Sequence, residues 1–223
     1  MSRFRAVLFD WKGTLFYDEP DLDWLRNSAA SLGWRIEADE VDQMVAAVDR
    51  ATADPRVVAA RSHSDCSLEA NRAAGKLLLE TIAGLPPELA TAIWQRDGDL
   101  SATLPYSDTA SVLHALAERA LRVAIVSDIH YDVRPHFAQH GLDGCVDAYV
   151  LSYQHGVQKP DTRLFQLALD ALGVSAADAL MVGDRAQRDA GGLALGITTL
   201  LLPRARVGAP RGLDAVLALV DGT

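Results

Sequence analysis

Four short stretches place groups able to do chemistry at or beyond the ends of expected strands. They are Asp10 and Thr14 after Ala6-Val7-Leu8-Phe9, Ser127 and Asp128 after Val123-Ala124-Ile125-Val126, Lys159 in Gln158-Lys159-Pro160-Asp161, and Asp184 and Asp189 in Gly183-Asp184-Arg185-Ala186-Gln187-Arg188-Asp189. If these runs are neighbouring strands, the carboxylates of Asp10, Asp184 and Asp189 converge on one small volume. Carboxylates so placed repel one another unless a hard cation neutralises them, and their oxygens suit Mg²⁺. Sites of that kind also receive a substrate phosphate, for which the Ser127 hydroxyl and the Lys159 ammonium supply recognition. The expected ligands are Mg²⁺ and a small anionic, phosphorylated substrate, with Thr14, Ser127, Asp128 and Lys159 as substrate-binding candidates.

The elements that must position these groups follow from hydrophobic periodicity. Arg5 to Leu15 opens with an apolar run too short for a helix and followed by a carboxylate and a glycine, which reads as a buried parallel strand ending in a tight loop. In open α/β sheets ligands sit outside the carboxyl ends of such strands. Residues 21 to 95 then carry only helical signals: Asp21 to about Gly33, Glu37 to Ala51, Leu68 to Ile82, and a helix through Trp94 opened by Pro86-Pro87-Glu88. Between them, Arg56, Arg61 and His63 lie in a polar break.

From Pro105 the rhythm alternates. A helix from about Asp108 to Arg119 precedes a strand Leu121 to Asp128, a helix from about Val133 to Gln139 and a strand Ala148 to Ser152. Helix Thr162 to Leu172, strand Ala179 to Val182, helix Asp189 to Leu195, strand Ile197 to Leu202 and helix Leu213 to Val220 complete the series, with Pro203 to Arg211 as a polar connection. Such alternation predicts an α/β fold with a doubly wound, Rossmann-like parallel sheet. Residues 1–16 and 105–223 form the expected core and 17–104 an inserted helical domain, with Phe16 to Pro20 and about Asp97 to Pro105 as its hinges.

The 223 residues carry a formal net charge of −9 and no stripe of Lys and Arg, which disfavours a nucleic-acid partner. Cys66 and Cys145 show no metal-ligand spacing and are expected to be reduced packing residues. No stretch approaches the roughly twenty apolar residues needed to span a bilayer, and the first residues run straight into a strand, so the expectation is no membrane partner and a cytoplasmic location. Basic residues divide as eighteen Arg against three Lys, and two of the lysines, Lys12 and Lys159, fall in the stretches named above.

In its four stretches, in order, the chain resembles the haloacid dehalogenase-like hydrolase superfamily. Asp10-Trp11-Lys12-Gly13-Thr14-Leu15 stands where that family has Asp-x-Asp-Gly-Thr-Leu, and Ser127, Lys159 and Gly183-Asp184 with Asp189 stand at its other three motifs. The resemblance implies that residues 17–104 are an α-helical cap that selects substrate, and that Asp10 is a nucleophile forming a covalent aspartyl intermediate which water hydrolyses. It also implies that Asp10, Asp184 and the backbone carbonyl of Lys12 hold Mg²⁺ with Asp189 orienting a ligand, while Ser127 and Lys159 bind the transferring group.

The chain departs from that pattern at Lys12, where the family's phosphatases carry an acid/base aspartate. A lysine placed among Asp10, Asp184 and Asp189 is expected to stay protonated, able to donate a proton but hardly to accept one. His63, Asp65 and Glu69 are candidates to serve in its stead. Three readings stay open: a Mg²⁺-dependent hydrolase, a binding or regulatory module of the same fold, and a dehalogenase or phosphonate-cleaving enzyme, of which the phosphonate-cleaving kind would need Lys76 for an imine. Trp11, His130 and Tyr131 are flanking residues of the expected site.

Overall fold

In a computed structural model of the chain, the described residues are 3–203, 205–206 and 208–222; Met1, Ser2, Arg204, Val207 and Thr223 lie outside them, the middle two within the expected Pro203–Arg211 connection. Strand β1 (Ala6–Phe9) is followed by β2 (Phe16–Asp18) and five helices, α1 (Asp21–Ser31), α2 (Ala38–Thr52), α3 (Pro55–Arg61), α4 (Leu68–Thr81) and α5 (Pro87–Gln95). Then come β3 (Thr103–Pro105), α6 (Thr109–Glu118), β4 (Arg122–Ser127), α7 (Arg134–Gln139), β5 (Ala148–Leu151), α8 (Ser152–His155) and α9 (Thr162–Leu172). The chain continues through β6 (Ala179–Gly183), α10 (Ala186–Asp189), β7 (Thr198–Leu201) and α11 (Asp214–Asp221).

Five strands form a parallel sheet in the order β5-β4-β1-β6-β7. Every residue of β1 is buried, which is why this strand reads as a continuous apolar run rather than an alternating one. Its side chains still divide by face. Val7 and Phe9 join Val112, Leu116, Phe137, Val216 and Val220 on one side, and Ala6 and Leu8 join Leu164, Phe165, Ala168 and Leu169 on the other. Helices α6, α7 and α11 thus cover one face and α9 the other, the doubly wound arrangement expected.

No strand interrupts residues 21–95 among the described residues, as the helical pattern requires. The two expected hinges, however, pair with each other: β2 and β3 form an antiparallel ribbon with Phe16 opposite Pro105 and Asp18 opposite Thr103. Three residues a side leave no alternation to read, so the ribbon has no sequence signature. The polar break between helices is itself largely helical, because Asp54 accepts the Arg56 backbone N–H at 2.8 Å and Pro55 stands at the first helical position. The expected helix from Asp189 to Leu195 is instead the short α10 followed by a 3₁₀ turn over Ala190–Leu195, where Gly191 and Gly192 weaken the α-helix.

Candidate active site

Asp10 extends β1 by one residue, its N–H donating to the Val182 carbonyl at 2.9 Å. The loop beyond is a tight knot in which the Trp11 carbonyl accepts from Leu15 and Phe16 at 2.9 and 3.1 Å. Trp11 itself is fully buried and packs edge-on against His136 at 5.0 Å, so its role is to anchor the loop. Arg211, also buried, donates through Nε to the Gly13 carbonyl at 2.5 Å. The Asp10 carboxylate therefore leaves a backbone fixed from the sheet below, the core behind and the C-terminal segment.

Lys159 arrives from the loop before α9 and is 2% exposed, its Nζ 2.6 Å from Asp10 Oδ1 and 2.6 Å from Asp189 Oδ1. Burial alone disfavours its charge, but Asp10, Asp189 and Asp128 outweigh that and hold the ammonium above its ordinary range. Conversely, burial pushes the Asp10 carboxyl up against the pull of Lys159. Thr14 donates its hydroxyl to Asp10 Oδ2 at 3.2 Å. Asp189 has both oxygens engaged, Oδ1 by Lys159 and Oδ2 by the Asp184 and Arg185 N–H groups at 3.0 and 2.9 Å. It orders the loop carrying Asp184.

Asp184 is the carboxylate left over. Its Oδ1 is buried and without a partner, while ligand oxygens of Asp10, Asp184 and Asp189 all lie within 4.8 Å of one another. A Cβ at Gly13, where φ is +86°, would meet Asp184 Oδ2 at 2.5 Å, so only glycine lets the loop and this carboxylate approach so closely. An orphaned buried oxygen among carboxylates with a single lysine suits a hard divalent cation such as Mg²⁺.

Two side chains have partners other than those expected of them. Lys12 was placed by spacing among Asp10, Asp184 and Asp189, yet its Nζ lies 3.0 Å from Asp18 Oδ1 and over the rings of Trp11 (5.2 Å) and Tyr131 (5.6 Å). The turn at Gly13 brings Asp18 back beside it, and Lys159 already supplies the cation to Asp10. Burial opposes the charge on Lys12, but Tyr131 and Asp18 raise its pKa above the ordinary lysine value, so the expected protonation is retained with different partners. Asp128, expected to bind substrate, instead accepts the Lys159 N–H at 2.7 Å and the Arg188 guanidinium at 2.6 Å. Its carboxylate is consumed in holding Lys159 in place.

Other candidates separate clearly. Lys76 points to solvent, pairs with Glu80 at 3.7 Å and is not among the residues lining the cavity, so the lysine expected to form an imine stands apart from the site. His63 is exposed, bonded to Ser62, and Arg56 to Asp54. Asp65 does reach the site, joined by two residues from distant segments: His130 Nε2 lies 2.8 Å from Asp97 Oδ2, and its Nδ1 3.5 Å from Asp65 Oδ1. Sequence reasoning named these three singly but gave no sign that they meet. Burial disfavours charge on His130, but Asp65 and Asp97 raise its pKa above the ordinary value; Tyr131 meets its ring edge-on at 5.0 Å.

A pH dependence follows. A histidine whose folded pKa is raised contributes stability fully present below its unfolded value near 6.5 and lost as pH rises through the folded value. His130→Asn is expected to lower stability by about 1.5 kcal/mol at pH 5.5, the scale of a charge-assisted hydrogen bond. The deficit shrinks once the wild-type imidazole is neutral; thermal unfolding of both proteins across pH 5–9 checks this, and a deficit constant with pH contradicts it.

Above the strand ends lies a cavity of about 830 Å³ lined by Asp10, Lys12, Ser127, Asp128, Lys159 and Asp189 on one side and by residues of α1–α5 on the other. Arg188 also lines it, a cation missed by sequence although it adjoins Asp189 in one helical turn.

A sequence model of the family described as haloacid dehalogenase-like hydrolase matches residues 4–196. A phosphoserine phosphatase of Thermus thermophilus is 34% identical over 91 residues, 40% of this chain and only 36% of that protein. A ribulose-1,5-bisphosphate 5-phosphatase of Halopiger xanaduensis is 29% identical over 206 residues, 88% of this chain and 83% of that protein. Among solved structures, a HAD phosphatase from Thermococcus onnurineus matches with a TM-score of 0.64 at 19% identity, covering 98% of this chain and 99% of that one, a likeness of fold. With the match running through all four strand-end stretches, the chain belongs to the haloacid dehalogenase-like hydrolases.

Proposed function

We propose that this hydrolase is a Mg²⁺-dependent phosphatase of small phosphorylated substrates, using Asp10 as nucleophile. The observation that carries the reading is the unpartnered, buried Asp184 Oδ1 beside the Asp10–Lys159–Asp189 cluster at the floor of a cavity. Asp10, Asp184 and the Lys12 carbonyl would hold the ion, which when bound supplies positive charge to the transferring phosphoryl group. An Asp10 carboxylate oxygen attacks phosphorus as the P–O bond to the substrate's alcohol breaks and that alcohol leaves with a proton from water; a second water then hydrolyses the aspartyl phosphate to inorganic phosphate and free Asp10. Lys159 offsets charge on the equatorial oxygens, Thr14 orients the attacking carboxylate, and Ser127 offers a hydroxyl from the cavity wall. Residues 17–104 act as a cap, joined to the core through the β2–β3 ribbon.

With Lys12 held by Asp18, no base stands at that position. General acid–base help is worth about 10²–10⁴-fold, so turnover depends on the leaving group's own acidity. The test is hydrolysis of 4-nitrophenyl and phenyl phosphate with Mg²⁺ and with EDTA. The 4-nitrophenyl ester is expected to react at least ~10²-fold faster, EDTA to abolish both reactions, and Lys12→Asp/Asp18→Asn to raise the phenyl phosphate rate at least ~10-fold. Rates indifferent to EDTA would exclude the metal-dependent reading.

A further inference from the structure

The helical segment does not close on itself. Its apolar residues form two small cores, one around Leu25, Ala29, Val41 and Leu89 and another around Ala47, Ala51 and Ile82. At the edge of these cores, Val48, Leu78 and Leu79, packed against the second, and Ile93, packed against the first, stay only partly buried, as does Trp94, and all five line the same cavity as Asp10 and Lys159. Helices with apolar faces ordinarily pack them together, because dispersion and burial favour filled interiors. Here part of those faces borders a space continuous with the polar site.

Two features show that the space is shaped. Gly75 sits inside α4, where glycine is unfavourable, and a Cβ there would lie 1.8 Å from Trp94 Cζ3. The glycine lets the indole of α5 lie directly against the α4 backbone as a wall. On the same helix, Asn71 Oδ1 is buried and has no hydrogen-bond partner, an acceptor on the cavity wall beside Ala74, Leu78 and Trp94. A buried amide oxygen left unpaired is costly, and a ligand donor would satisfy it.

Cavities of about 300–1,000 Å³ take drug-sized ligands, and this one, at about 830 Å³, exceeds what a two- or three-carbon phosphate fills. We infer that the site takes phosphorylated amphiphiles. The phosphate lies at the strand ends, and a medium-chain aliphatic or aromatic body lies between α2, α4 and α5 with one hydrogen-bond donor meeting Asn71. The head rests on the phosphatase reading above; the body rests on Asn71 and the apolar residues of α2, α4 and α5 that line the cavity.

The test uses 4-alkylphenyl phosphates, whose leaving group stays constant as the chain lengthens. Each buried methylene is worth up to roughly fourfold in affinity, so kcat/KM should rise at least ~10-fold from 4-methyl to 4-hexyl, mainly through KM. Leu78→Trp and Val48→Trp fill the space from facing helices, and in each the ratio should fall below about threefold. A wild-type ratio near one, or a rise that survives both fillings, overturns the inference. Calorimetric binding of methyl- and octylphosphonate to the Mg²⁺-loaded wild type reads the pocket without turnover. Octylphosphonate binding at least ~10-fold more tightly supports the pocket even if no ester is hydrolysed, the result that would sink the phosphatase reading instead. Equal affinities sink the pocket.

Discussion

Asp10→Asn is expected to lower phosphate-ester turnover at least ~10³-fold while the protein stays folded, since removal of a nucleophile costs far more than removal of a binding group. The amide has almost the shape of the carboxylate and its oxygen can still accept from Lys159 at the position Asp10 Oδ1 holds, 2.6 Å from Nζ. Asp189, the second carboxylate on that ammonium, remains to balance its charge. Folding energetics and chemistry are thereby separated: the melting temperature should move by only a few degrees. Phosphate release under single-turnover conditions is the measurement, and an unaltered rate would mean that Asp10 is not the nucleophile.

The second large effect concerns stability. Lys159→Met leaves Asp10 and Asp189 buried with no cation between them. Removing one partner of a buried ion pair costs about 3–5 kcal/mol, against a total near 5–15 kcal/mol for an ordinary domain. At about 2–4 °C per kcal/mol for a chain of this size, the melting temperature is expected to fall by roughly 6–20 °C. Methionine matches the length of the lysine stem, so packing is little disturbed and the loss reports the charge. A fall of less than about 3 °C would show that the carboxylates find another partner.

Fold and site were legible in the sequence to different depths. The buried parallel strands could be read because a run such as Ala6-Val7-Leu8-Phe9 is apolar on both faces of the sheet, and its successors recur with helices between. Asp10, Lys159, Asp184 and Asp189 could be brought together because Asp10 and Asp184 directly follow such strands, while Lys159 and Asp189 lie in the connections beyond strands at the same sheet edge. What sequence lacked was the destination of each side chain within that edge. Spacing could not tell that Asp128 would serve the Lys159 backbone and Arg188, or that Lys12 would turn to Asp18. Nor could it join Asp65, Asp97 and His130, whose meeting depends on how the helical segment sits on the core.

The place of β1 at the centre of the sheet has a consequence for the order in which the molecule can be made. Its register partners, Arg122 through Ile125 on one side and Ala179 through Val182 on the other, are synthesised long after it. At about 5–20 residues per second, the strand waits on the order of 10–35 s before its second neighbour exists. During that interval an entirely apolar segment has no sheet to join, while the helices α1 to α5, built on short-range contacts, can already form. Asp10, the nucleophile proposed above, is thus made long before both of the strands that hold it in place, and substitutions that make this waiting strand stickier should reduce the yield of folded protein without changing the kcat of what folds.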